Sequence, residues 1–242
     1  MNTRTLITAG VTAGPFFVAV AGAQALTRSG FDLSRHPLSL LSLGDQGWIQ
    51  ITNFIVTGTL VIAAAVGAHR SLAAGRGRVW GPRLLGAHGA GLILAGVFTA
   101  DPSLGFPAGA PTGEPEAYSW HSMVHGVGFG LAMLSLIAAC VVFSRRFAVE
   151  RDHGWVTYCV ATAFGMPAIL AVGSVEFSLR AAAVTVVAFA WIGALSIRLG
   201  RTDTHDARPV DHPAHLVAPA RERRAVGARP ESSLPPDARR AR

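Results

Sequence analysis

Six long apolar runs occupy the first 200 residues of the chain, and short polar stretches separate them. A helix that crosses a bilayer needs about 20 mostly apolar residues, and each run approaches or meets that length. The runs cover residues 5–27, 48–68, 84–100, 121–143, 155–173 and 180–199. The pattern therefore predicts an all-α, polytopic membrane bundle of six transmembrane helices within residues 1–200.

The first run has an alternative interpretation as a secretory signal, because Arg4 precedes it and the small residues at 21–25 imitate a cleavage site. The run is about 22 residues long, which exceeds the usual apolar core of a signal peptide. It also carries glycines at 10 and 14, a spacing that lets membrane helices approach closely. We therefore expect a transmembrane helix here, and we expect Gly126 and Gly130 to make a similar close contact.

Arginine positions predict the orientation of the bundle, since cytoplasmic loops of bacterial membrane proteins are enriched in basic residues. The connections after the second and fourth runs carry seven arginines, whereas those after the first, third and fifth runs carry three. The arginine-rich connections and both chain termini should therefore lie in the cytoplasm. Residues 101–120 should lie on the outer face of the plasma membrane.

The composition supports this membrane assignment and argues against a nucleic-acid partner. Half of the residues are hydrophobic and 14% are charged, which is too apolar for a soluble domain of this size. The formal charge is +7, but eight of the 21 basic residues lie beyond residue 205 among prolines and acids. Residues 201–242 are predicted to form a disordered cytoplasmic tail. Positive charge dispersed in such a tail is not typical of a protein that recognises a nucleic-acid groove. Because every basic residue is arginine, the composition also indicates a bacterial source.

Polar residues gather at the predicted outer face. Polar side chains are costly in lipid and therefore turn toward the bundle interior. The sequence thus predicts an outward-facing polar pocket, with membrane lipids or a small molecule as its ligands. The candidate residues are Arg35, His36, Ser39, Asp45, Gln50, Asn53, Asp101, His121, His125, Glu176 and Arg180.

Two of these histidines have the spacing of metal ligands. Asp101 ends the third run and His121 begins the fourth, so an antiparallel helix pair should bring them to similar depth. His125 lies on the same helix face as His121 and about 6 Å deeper. Two imidazoles and one carboxylate in this arrangement predict a site for zinc or another divalent metal. Two alternatives remain open: interfacial histidines that bond to a neighbouring helix, and a metal-free binding or proton-transfer role.

Other candidates also have structural interpretations. Gln50 and Asn53 lie three residues apart on one helix face, where interhelical hydrogen bonds would serve them as well as a ligand. Glu176 and Arg180 have the spacing of a local surface ion pair. The connection 101–120 is longer than a turn between adjacent helices requires, and this length favours a lid or binding loop.

Several segments resemble the bacterial domain-of-unknown-function family 998. They are RHPLSLLSLGDQGWIQITNF from Arg35, then ADPSLGFP, and the histidine-containing start of the fourth run. The resemblance covers about residues 5–200 and implies a six-span integral membrane protein, with no established activity. The residues that carry it are Arg35, His36, Pro37, Ser39, Leu43, Gly44, Trp48, Gln50, Asn53, Asp101, Pro102, Phe106 and Pro107.

Three functions are compatible with these observations. The first is binding or sensing of a lipid headgroup or a small extracytoplasmic molecule. The second is a metal-dependent intramembrane hydrolase that uses His121, His125 and Asp101, an arrangement similar to that of alkaline ceramidases, which differ in span number. The third is a small-solute transporter, although transport pathways usually place ionisable groups near the membrane midplane.

Overall fold

The fold is given by a computed structural model that describes residues 1–173 and 176–206. A short 3-10 helix, Leu38–Ser42, lies in the connection between α1 and α2. The prediction of a disordered tail concerns residues that lie outside this description beyond residue 206. The long helices are α1 (Thr3–Thr27), α2 (Gly47–Ser71), α3 (Trp80–Val97), α4 (Trp120–Val149), α5 (His153–Ala171) and α6 (Phe177–Asp206).

Each of the six predicted runs corresponds to one of these helices, so the predicted helical bundle is confirmed. Within the described residues, five helices are long and apolar enough to cross a membrane, and α3 is not apolar enough. Its 18 residues include Pro82, Arg83 and His88, which lower its hydropathy. At 1.5 Å per residue α3 is still about 27 Å long, close to the thickness of a bilayer core of about 30 Å.

The helices form a ring in chain order, and α6 closes the ring by packing against α1. The contact of α1 with both α2 and α6 makes the first helix an integral wall of the bundle. Large side chains from several helices fill the half of the bundle near the α4–α5 turn. Phe143 and Trp191 are fully buried there, and Phe147 is nearly so.

Glycines allow α3 to pack against both of its neighbours through its backbone. A Cβ atom added at Gly89 would lie 2.6 Å from the carbonyl oxygen of Gly58 on α2. A Cβ atom added at Gly91 would lie 2.6 Å from the carbonyl oxygen of Gly128 and from the amide nitrogen of Ala132, both on α4. Such contacts leave no space for a side chain, and they hold α3 between α2 and α4.

The predicted glycine contacts are confirmed on α1 and wrong on α4. Cβ atoms at Gly10 and Gly14 would lie within 3 Å of side chains on neighbouring helices. Cβ atoms at Gly126 and Gly130 would meet no atom of the described residues within 4 Å. The rotation of α4 explains the difference, because the face that meets α3 carries Gly128 instead.

The orientation of the bundle remains a prediction from the arginine distribution. Alkaline phosphatase fused at Thr112, in the connection between α3 and α4, should be active because this loop should lie outside. Fluorescent protein fused at Gly75, between α2 and α3, should fluoresce because that loop should be cytoplasmic. The reverse pattern of activities at these two positions would contradict the predicted orientation.

Candidate functional site

His36 joins the two long connections at one end of the bundle, residues 28–46 and 98–119, which we call the loop end. Its Nδ1 accepts a hydrogen bond from the Asp32 amide at 2.9 Å, and its Nε2 donates to the Leu104 carbonyl at 3.0 Å. The ring is buried against the rings of Phe31 and Phe106, which also contact each other. Both ring nitrogens are therefore occupied, and His36 fastens the connections to each other.

Arg28, which the sequence reasoning did not select, fixes the shape of the first connection. Its guanidinium donates hydrogen bonds to the carbonyls of Leu41 and Leu43 and lies 5.2 Å from the Phe106 ring centroid. Burial lowers the pKa of Arg28, and the negative charge of Asp45 opposes that effect. Asp45 itself is exposed, and its charge acts on Arg28 from the surface.

Three further candidates lie at the loop end, and one of them, Arg180, lines a separate pocket between α5 and α6. Arg35 is exposed, and its backbone carbonyl accepts a hydrogen bond from Ser178 at 2.8 Å. Glu176 is exposed, while the Arg180 guanidinium donates to the carbonyl of Leu170 on α5. Within the described residues the ion pairs lie at the opposite end of the bundle, so Glu176 and Arg180 do not form the expected pair.

Gln50 and Asn53 belong to a buried hydrogen-bond network between α1 and α2. Gln50 Oε1 accepts from Gln24 Nε2 at 2.8 Å and from Asn53 Nδ2 at 3.2 Å. Asn53 Nδ2 also donates to the Phe17 carbonyl at 3.1 Å, and Asn53 Oδ1 accepts from Thr57 at 3.4 Å. These bonds give both residues an interhelical role. Sequence reasoning missed Gln24, although a lone amide in an apolar run was a visible signal.

Asp101 sets the start of α4. Its carboxylate accepts hydrogen bonds from the Ser119 amide at 2.7 Å and the Ser119 hydroxyl at 2.6 Å. Burial favours the neutral acid, but these bonds and the nearby His121 outweigh it and lower the pKa of Asp101. Because Ser119 caps α4, the Asp101 carboxylate is committed to the local fold.

The predicted three-ligand metal site is not assembled. His121 is exposed and its ring lies 3.7 Å from the Trp120 ring, so the prediction that it faces the interior is wrong. His125 is half-buried, and its Nδ1 lies 2.8 Å from the Ala95 carbonyl and 3.0 Å from that of Phe98. No group of three or more His, Cys, Asp or Glu side chains among the described residues is placed to hold a metal ion. The hydrolase hypothesis thereby loses its proposed ligands.

An apolar cavity of about 250 Å³ lies inside the loop-end half of the bundle. We call it the α4–α6 cavity, although α1, α2, α3 and the 3-10 helix also contribute to its walls. Of the eleven candidate residues, Ser39 and His125 line it. The expected polar pocket is thus replaced by a largely apolar one. Its apolar lining includes Phe17, Leu38, Phe54, Leu92, Phe129, Met133, Phe177 and Phe189.

The cavity reaches the surface between α4 and α6. Phe129 on α4 and Phe177 on α6 both line it and are 42% and 50% exposed. Gly126, also on its wall, leaves open space where a side chain would stand. Although α5 follows α4 in the ring, none of its residues lines the cavity. A bilayer around the helices would place this opening against lipid chains.

His88 lines the cavity, and sequence reasoning did not select it as a candidate. It lies about 12 Å from the start of α3, near the middle of the helix. The side chain is 5% exposed, and Nδ1 lies 2.8 Å from the Ala132 carbonyl on α4. Nε2 is buried and has no hydrogen-bond partner among the described residues. A lone histidine in an apolar run was the available signal.

A protein-family comparison covers most of the helical bundle. The family described as "Protein of unknown function (DUF998)" matches residues 11–198. This range contains every residue that lines the α4–α6 cavity and both long connections at the loop end. No curated protein and no solved structure matches the chain.

Proposed function

The chain belongs to the DUF998 family of proteins of unknown function, and we propose that it binds a small amphipathic molecule from the lipid phase. The α4–α6 cavity is the observation that carries this proposal. Ligand sites are concave and mainly apolar, with a few polar groups that orient the ligand. The cavity has this character, and it opens toward the outer leaflet of the plasma membrane in the predicted orientation.

The size of the cavity limits what enters it. An apolar cavity of about 150 Å³ accepts benzene, which has six carbon atoms. By proportion, the 250 Å³ of the α4–α6 cavity accept roughly ten non-hydrogen atoms. The ligand is therefore a small compound, or a larger membrane lipid that inserts one segment between α4 and α6.

The chemistry of the walls favours a neutral ligand. No Asp, Glu or Arg side chain lines the cavity within the described residues. An ionised group is costly in an apolar environment unless an opposite charge or several hydrogen bonds compensate it. The inserted part of the ligand is therefore neutral, and of the lipid headgroups considered from the sequence, charged ones do not fit this cavity.

The packing supports binding more than transport. A transporter needs access to its site from both sides of the membrane. Phe143, Trp191 and Leu136 are fully buried in the half of the bundle away from the loop end. These side chains close the interior there, so the described conformation has its opening between α4 and α6.

Native mass spectrometry tests the proposal on protein extracted from its membrane in a mild detergent. We expect a fraction of the protein to retain one non-covalently bound molecule, which organic extraction releases and identifies as neutral. Protein treated with a delipidating detergent should lose the added mass and regain it when the extract is returned. Failure to retain or regain any small molecule would contradict the proposal.

A further inference from the structure

We infer that His88 recognises a hydroxyl group of the ligand in the α4–α6 cavity, an inference that rests on the proposed function. The cavity contributes few polar side chains, and His88 lies at its deep end, near the middle of α3. The ligand class is therefore an apolar molecule with an aliphatic or aromatic O–H group, which enters the cavity hydroxyl first.

The hydrogen bond to α4 fixes which nitrogen of His88 carries the proton. Nδ1 lies 2.8 Å from the Ala132 carbonyl oxygen, and a carbonyl oxygen can only accept. Nδ1 therefore donates, which leaves Nε2 of the neutral imidazole as an acceptor. That atom is buried and has no partner among the described residues. A buried acceptor without a donor is unfavourable, and a ligand donor at this place removes the deficit.

Thr185 and His125 of the cavity already bond to backbone carbonyls, and Ser39 is half-buried in the 3-10 helix at the loop end. The Thr185 hydroxyl donates to the Ala181 carbonyl of its own helix at 2.9 Å. His125, which lies closer to the loop end, uses its Nδ1 on two carbonyls of the α3 terminus. His88 is thus the lining side chain with a fully buried, unpaired nitrogen.

The direction of this hydrogen bond discriminates between ligand classes. An alcohol or phenol has the O–H donor that Nε2 requires. Ethers, esters, ketones and quinones present only lone pairs, which face the lone pair of Nε2 without forming a bond. The site therefore distinguishes an apolar alcohol from its own methyl ether, although the two have nearly the same shape.

Two compounds of suitable size isolate the contribution of this hydrogen bond to affinity. They are 4-butylphenol, which has an O–H donor, and 4-butylanisole, its methyl ether. Binding to purified protein is measured by calorimetry, with both compounds at equal mole fraction in the detergent. We expect the wild type to bind the phenol about tenfold more tightly than the ether, since one hydrogen bond is worth about that factor.

His88→Asn is the informative variant because its amide reaches the position of Nδ1, keeps the bond to Ala132 and lacks an atom at Nε2. In this variant the phenol and its methyl ether should bind with about equal affinity. Thr185→Val is the matched control, because it removes a lining hydroxyl that already bonds to its own helix, and it should keep the preference. Thermal unfolding checks that both variants are folded.

The outcomes separate this inference from the proposed function. If His88→Asn prefers the phenol over the ether as strongly as the wild type does, the role of His88 is overturned. If the wild type binds both compounds equally and Gly126→Leu binds neither, hydroxyl recognition is overturned. The cavity would remain the binding site, with only water bonded to Nε2. Absence of binding by either compound overturns the proposed function together with the inference.

Discussion

Replacing Gly91 with alanine is expected to destabilise the bundle by about 3 kcal/mol, although the change adds a single methyl group. The added Cβ would lie 2.6 Å from two backbone atoms of α4, a carbonyl oxygen at Gly128 and an amide nitrogen at Ala132. Backbone atoms cannot turn aside as a flexible side chain can. Retreat of α3 is also blocked, because Gly89 is in equally close contact with α2.

Gly86→Ala is the matched control for this substitution on the same helix. A Cβ atom there would have its nearest neighbour at 3.9 Å, an ordinary contact with Ala65. The control should be neutral or up to about 1 kcal/mol more stable, because alanine favours a helix over glycine. Thermal unfolding in detergent should place Gly91→Ala about 10 °C below the wild type. Equal melting temperatures for the two variants would refute the close packing of α3.

Replacing Gly126 with leucine is expected to abolish ligand binding while making the protein more stable. Gly126 lies on the cavity wall, and a side chain there enters open space. Leucine adds four carbon atoms, a large share of the roughly ten atoms that the cavity accepts. It also removes a glycine from a helix, which adds about 1 kcal/mol of stability. Misfolding would also abolish binding but would lower stability. Loss of binding together with increased stability is therefore specific to a filled cavity.

Gly130→Leu gives the control, because it makes the same exchange one turn further along α4. Its Cβ position is also open, but Gly130 does not line the cavity. This variant should gain similar stability and retain the ligand, as measured by native mass spectrometry and by calorimetry with 4-butylphenol. Retention of ligand by both variants, or its loss from both, would argue against the cavity as the binding site.

The helices could be predicted from the sequence because hydropathy acts locally. Twenty consecutive apolar residues have few alternatives to a membrane helix, and five of the six runs meet the criterion in the structure. The rotation of each helix could not be predicted in this way. Glycine spacing identified a face of α4 containing Gly126, whereas contact with Gly91 turned the face of Gly128 toward α3.

The roles of the histidines depend on contacts between distant segments, and this limited the prediction of the site. His36 and His121 have similar sequence settings near the membrane surface. His36 is buried and bonds to a carbonyl 68 residues away, whereas His121 is exposed beside Trp120. His88 gains its role because Ala132 occupies one nitrogen and the cavity leaves the other without a partner. A cavity is space that several packed helices leave unfilled, and no local sequence pattern encodes it.

An experimental structure of the protein in lipid nanodiscs, made without delipidation, tests the central claim most directly. The account predicts elongated non-protein density in the α4–α6 cavity, passing between Phe129 and Phe177 and ending within hydrogen-bond distance of His88 Nε2. Closure of α4 onto α6, with the cavity gone and His88 bonded to another protein group, would contradict it.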